Sequence, residues 1–134
     1  MKTMEQKNGY IILKNLEVYQ LSREMSRLGW AIYEPLDWRI KKINGDQFIE
    51  STDSVGANIA EGYGRYHYLD RIKFYYHARA SLMECSEHWV ELMYERKLIS
   101  EQECKSYKDI SGQLLLKLNR FIAATYRSKL GDDR

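Results

Sequence analysis

Ser54-Val55-Gly56-Ala57-Asn58-Ile59-Ala60-Glu61-Gly62-Tyr63-Gly64-Arg65 is the stretch that decides the fold. Alanine and isoleucine at these spacings read as helix, yet three of the chain's eight glycines fall here. Gly56 sits inside the run, and Gly62 and Gly64 close it, so close backbone approach rather than helix propensity selects these positions. Asn58 and Glu61 lie three apart, near the apolar face made by Val55 and Ile59. That placement predicts a buried, hydrogen-bonded polar pair inside a helical core.

Outward from this stretch, the helical period continues in both directions. Phe48, Thr52, Val55 and Ile59 define a helix over about 46–62, with Asn44 or Asp46 placed to cap it and Gly62 as its stop. Upstream, Val18, Leu21, Met25, Leu28 and Ile32 alternate spacings of three and four, giving a helix over about 14–33. Pro35, the only proline, breaks the period, and 34–45 reads as a connector with Trp38 plugging the end of the core. Downstream, Ile72, Tyr75, Leu82, Trp89 and Met93 mark a helix over 70–96. Ser100 and Glu103 form a capping box for the last helix, 101–130, whose stripe is Tyr107, Ile110, Leu114, Leu118 and Phe121, with Gly131 as its stop. No strand pattern, repeat or low-complexity segment competes. The expectation is a single all-α domain, an antiparallel up-down-up-down four-helix bundle spanning 1–134.

Composition excludes several classes. Hydrophobic content of 44% and charged content of 30% are those of a soluble globular chain, and the longest apolar runs fall far short of a membrane span. Residues 1–15 hold too short an apolar run for a signal-peptide core, so a cytoplasmic location is expected, with Cys85 and Cys104 as reduced thiols. Cys85-Ser86-Glu87-His88 is the nearest approach to a di-metal Glu-x-x-His helix and has no second copy, which predicts no metal site and a solvent-facing His88. Ser81 and Cys104 lack an activating base nearby in sequence, and Gly62-Tyr63-Gly64 lacks the third glycine and preceding strand of a phosphate cradle. Neither a catalytic residue nor a cofactor is predicted.

Charge is polarised in the expected bundle. The end formed by residues 1–25, 56–82 and 112–134 carries 13 basic and 7 acidic residues, against 8 and 12 in the remainder. Its cations include Arg65, Arg71, Lys73, Lys117, Arg120, Arg127 and Lys129, interleaved between 63 and 79 with Tyr63, Tyr66, Tyr68, Tyr75 and Tyr76. Cations suit phosphates and aromatic faces suit unstacked bases, so these residues are the candidate nucleic-acid-binding set; Tyr75 is expected in the core instead. Apolar residues beyond one stripe per helix (Phe74, Ala78, Cys85, Leu92, Leu115 and Ile122) predict a surface buried against an identical neighbour.

Three segments, Leu16-Glu17-Val18-Tyr19-Gln20, Ala57 to Arg65, and Ala78-Arg79-Ala80-Ser81-Leu82-Met83-Glu84, make the chain resemble the 23S rRNA intervening-sequence protein family, over about Leu13 to Ala124. That family includes proteins encoded within insertions in bacterial large-subunit rRNA genes, and its relatives include the accessory variability determinant of diversity-generating retroelements. It usually has proline where Gly56 stands and tryptophan where Tyr19 stands. The resemblance implies a four-helix bundle assembled as a ring, typically a pentamer, with a basic surface proposed to engage RNA or DNA, and no established enzymatic reaction. It marks Asn58, Glu61, Arg79, Ser81 and Glu84 as the matching polar positions, a structural network in which bundle geometry would let Arg79 meet Glu61. The alternative expectation is a scaffold that docks a partner protein without itself contacting nucleic acid.

Overall fold

The computed structural model describes residues 11–132, with side chains through 128. Every regular element among them is helical. After a short turn at Leu13–Asn15, the long elements are α1 (Glu17–Tyr33), α2 (Asp46–Tyr63), α3 and α4. Helix α3 runs without a break through Tyr68–Met83, a wide π-helical turn at Glu84–Trp89 and Val90–Glu95, and α4 spans Glu101–Asp132.

Neighbouring helices meet with their residue numbers running in opposite senses. Ser26 donates to Asp53 and Tyr33 to Asp46, each at 2.6 Å, between α1 and α2. Ser54 meets Ser81 at 2.9 Å between α2 and α3. Between α3 and α4, Ser86 meets Ser111 at 2.7 Å, and Arg79 donates to Asn119 at 3.0 Å. The core between them is filled by Met25, Phe48, Val55, Ile59, Tyr75, Leu82, Met93, Tyr107, Leu114 and Leu118, all buried. At its centre Thr52 and Tyr107 share a 2.7 Å hydrogen bond, which satisfies both hydroxyls inside apolar surroundings.

Gly62 explains why α2 and α3 lie so close. A methyl group on it would stand 2.7 Å from Tyr75, 2.9 Å from the Cβ of Phe74 and 3.0 Å from the backbone oxygen of Arg71. Only glycine permits that approach without displacement of the neighbouring helix. Gly64, not Gly62, caps α2.

Several expectations are corrected. The connector is helical: Asp37 accepts hydrogen bonds from Arg39 and Ile40 and starts a turn at Trp38–Ile40, which continues through a π-helical turn, Lys41–Gly45, directly into α2. With no fresh helix start at 46, neither Asn44 nor Asp46 caps; Asn44 is buried and Asp46 accepts from Tyr33. Trp38 is no plug but 73% exposed, because Leu36 and Tyr33 already cover Gly45 at that end. The surplus apolar set is another: Ala78, Cys85 and Ile122 are buried in the core of the single chain and Phe74, Leu92 and Leu115 are half-buried, and the π-helical turn at 84–89 lets the consecutive Cys85 and Ser86 both face inward. The capping box stands as read, with the Ser100 amide on Glu103 and the Glu103 amide on Ser100. Helix α4 passes through Gly131 rather than stopping there.

Candidate nucleic-acid interface

The end where α3 begins and α4 finishes gathers aromatic and cationic side chains. Tyr76 and Tyr126, both partly exposed, bring their hydroxyls to 3.4 Å across the two helices. That hydrogen bond, and after it desolvation, pushes the Tyr126 phenol above its ordinary value. The Arg79 guanidinium lies 4.7 Å from the centre of the Tyr76 ring while it holds Asn119, so its plane is fixed from two sides. Lys73 is one turn before Tyr76 and Arg127 adjoins Tyr126; Arg120 lies two turns before Arg127 on the same helix.

The candidate cations differ in how far they are already neutralised. Lys117 pairs with Glu17 at 3.0 Å, and Arg65 approaches Glu61 at 3.7 Å while stacking 4.8 Å over Phe74. Arg71 donates to the Arg65 carbonyl at 2.7 Å and so closes the α2–α3 turn. Among the described residues, no carboxylate lies within ion-pair distance of Lys73, Arg120 or Arg127, and all three are exposed. The side chain of Lys129 lies outside the described residues. At the far half of the molecule the balance reverses: Lys108 is held by Glu91 at 2.8 Å and Glu87 at 3.2 Å. Burial by itself would lower its pKa, and the two carboxylates more than offset that, so the net direction is upward.

The predicted polar network is only partly assembled. Asn58 donates to the Ser54 carbonyl at 2.9 Å and the Ser54 hydroxyl at 3.0 Å, and Ser54 reaches Ser81, so Asn58 and Ser81 belong to one chain of hydrogen bonds. Glu61 is exposed and turns toward Arg65, and Arg79 turns toward α4, so the Arg79–Glu61 pair does not form. The cause is helical phase: Ser54, Asn58 and Gly62 share the line that faces α3, which leaves Glu61 about 100° away from it. Glu84 lies apart from the network, accepting from the Trp89 indole at 2.8 Å.

A cleft of about 270 Å³ beside α1, lined by Lys14, Tyr19, Gln20, Arg23 and Arg27, holds three further cations that the sequence reading did not name. Gln20, Arg23 and Arg27 recur at spacings of three and four, a polar stripe legible in the sequence once α1 is placed. A second groove, about 300 Å³, shares Tyr19 and Arg23 and is floored by Ser22, Gly56, Ala57 and Ala60.

Nucleophilic groups are poorly disposed for chemistry. Burial pushes the Cys85 thiol up to about 11, and burial likewise raises Cys104 and Tyr107, so at neutral pH all three are protonated. Among the described residues no three His, Cys, Asp or Glu side chains come together. None of the described helices is long and apolar enough to cross a membrane.

These features define an all-helical protein with a cationic, tyrosine-bearing end. Residues 14–120 match the family of the 23S rRNA-intervening sequence protein, and the chain belongs to that family. It is similar in fold to a protein of unknown function from the S23 ribosomal protein family of Bacteroides thetaiotaomicron VPI-5482, whose crystal structure is at 1.70 Å. The two share 23% identity at a TM-score of 0.73, over 78% of this chain and 97% of the other. No curated protein matches the chain.

Proposed function

We propose that this protein is a non-enzymatic, cytoplasmic, RNA-associated protein whose antiparallel up-down-up-down four-helix bundle binds phosphates through the end built by α3 and α4. The observation that carries the reading is that among the described residues no carboxylate reaches Lys73, Arg120 or Arg127, three exposed cations on the same two helices as the Tyr76–Tyr126 pair. Charges without internal partners keep their full attraction for a polyanion, whereas Lys117 and Arg65 would first have to leave a carboxylate. Family membership supports RNA as the polyanion.

The bundle works as a homo-oligomeric ring, a pentamer, in which the same α3–α4 seam supplies the subunit contact one to three turns farther from the cationic end. Met83 and Leu116, 51% and 52% exposed, support that contact, because a monomer would leave both in water. Identical subunits pointing the same way collect their cations on one face and bind multivalently. Fluorescence anisotropy with a structured RNA tests the reading. The parent binds at low salt, and the Lys73→Glu/Arg120→Glu/Arg127→Glu variant, folded by circular dichroism, loses at least about tenfold in affinity. Equal affinities for parent and variant would overturn it.

A further inference from the structure

The most exposed large apolar side chains include a group at the opposite end of the molecule, where the sequence reading expected a sealed core. Trp38, Ile43 and Trp30 are 73%, 61% and 52% exposed. They are held in place: Asp37 caps the turn that carries Trp38, and the π-helical turn after it carries Ile43. Trp30 packs its ring 5.4 Å from Tyr33, and Lys41 lies 4.7 Å over the other partner in this series, the Tyr33 ring. Trp30, Tyr33 and Lys41 are thus one contiguous surface, continued along the chain by Trp38, Arg39, Lys42 and Ile43.

The cations of this surface cluster on its second half, beyond the exposed Glu34 and Asp37. Arg39, Lys41 and Lys42 fall within four residues, and no acidic residue lies between Asp37 and Asp46. Asp37 accepts from the Arg39 and Ile40 amides and Asp46 from the Tyr33 hydroxyl, and among the described residues no carboxylate, Glu34 included, lies within ion-pair distance of Arg39, Lys41 or Lys42. The overall count, which makes the half of the molecule containing them acidic, hides this local cluster of three cations.

We propose that the Trp30–Trp38 surface is a second nucleic-acid contact, one that stacks unpaired bases on its indoles while Arg39, Lys41 and Lys42 hold the flanking phosphates. An indole that projects into water offers a flat face that any base can cover, and cations within one turn meet the backbone of the same strand. A duplex keeps its base faces inside the stack and gains nothing from the indoles, so the occupant is single-stranded. The surface is separate from the Lys73, Arg120 and Arg127 face: with both in use, the protein grips a folded RNA on one end and a loop or tail on the other. This inference does not depend on the α3–α4 reading and fails independently of it.

Intrinsic tryptophan fluorescence, titrated with a short oligouridylate and in parallel with a blunt RNA duplex, tests the proposal. The expected result is saturable quenching by the oligouridylate, little quenching by the duplex, and an affinity for the single strand lowered about 5- to 150-fold by Trp38→Ala. Trp38 is mostly in solvent, so its removal leaves the thermal midpoint nearly unchanged and the loss reads binding. The Lys73→Glu/Arg120→Glu/Arg127→Glu variant keeps the quenching, which separates this surface from the other. Unchanged oligouridylate affinity in Trp38→Ala, or binding without quenching, would overturn the proposal. So would a blue shift on phosphatidylserine vesicles with no response to the oligouridylate, which would assign the surface to anionic lipid.

Discussion

Gly62→Ala tests the close approach of α2 and α3 with a single methyl group. The added Cβ would meet Tyr75 at 2.7 Å and the backbone oxygen of Arg71 at 3.0 Å. Neither can give way cheaply: Tyr75 is buried, with its ring 4.9 Å from that of Phe121, and a backbone oxygen has no rotamer to change. With contacts at 3.0 Å or less on atoms that cannot yield, the overpacking falls in the upper part of its usual range, about 2 to 3 kcal/mol, while alanine in place of glycine returns about 1 kcal/mol of helix propensity. The net loss is about 1 to 2 kcal/mol, or about 3 to 10 °C in Tm for a chain of this length. Gly112→Ala is the internal control, because its Cβ would meet nothing within 4 Å. It should stabilise by about 0.5 to 1 kcal/mol through propensity alone. Urea unfolding at one fixed protein concentration measures both, which keeps any association constant across the series. If Gly62→Ala proves as stable as the parent, or shifts in the same direction as Gly112→Ala, the account of α2 against α3 is wrong.

Asn58→Leu should cost about 1 kcal/mol in the same assay, since it removes the donor that ties Ser54 to its own helix beside Ser81, whereas Glu61→Leu should fall within about 0.5 kcal/mol of the parent because Glu61 is exposed. Stability should hold up to about pH 8.5 and then fall between about pH 9 and 11. Cys85 is raised by burial from 9.0 to about 11 and Tyr107 is raised above 10.0, so both stay protonated in the folded state after the unfolded chain has begun to release its protons. Each such group steepens the fall by about 1.4 kcal/mol per pH unit, and Cys85→Ala should remove one share of that slope in a pH series of urea melts. Light scattering should give a mass near five times the 16.0 kDa chain, and Met83→Glu/Leu116→Glu should lower it; a parent that scatters as a monomer contradicts the ring.

Much of the fold was legible because each helix carries an apolar stripe of the right period, and the Ser100–Glu103 box and the glycine-rich end of α2 punctuate it. The connector was not, because Pro35 ends the α1 period and the turn that Asp37 restarts two positions later is too short to show a period of its own. The π-helical turns at 41–45 and 84–89 were equally hidden: they shift the phase of a stripe by one residue, which a fixed period of 3.6 cannot register. At the candidate interface, sequence named the cations but could not distinguish Lys117, neutralised by Glu17, from Lys73, Arg120 and Arg127, which no described carboxylate reaches. Pairing across helices depends on register, and register is a tertiary fact. The Arg79–Glu61 expectation failed for the same reason, as one residue of helical phase carried Glu61 out to solvent.

The salt dependence of RNA binding tests the central claim most directly. Anisotropy titrations of a structured RNA at several salt concentrations give log K against log[salt], whose slope counts the phosphates neutralised. With three cations on the α3–α4 face that no described carboxylate reaches, the parent slope should be about −3 or steeper, and the Lys73→Glu/Arg120→Glu/Arg127→Glu variant should flatten it by about 3 for each chain engaged. A parent whose affinity does not change with salt, or a variant whose slope equals the parent's, would contradict the claim that this face binds nucleic acid.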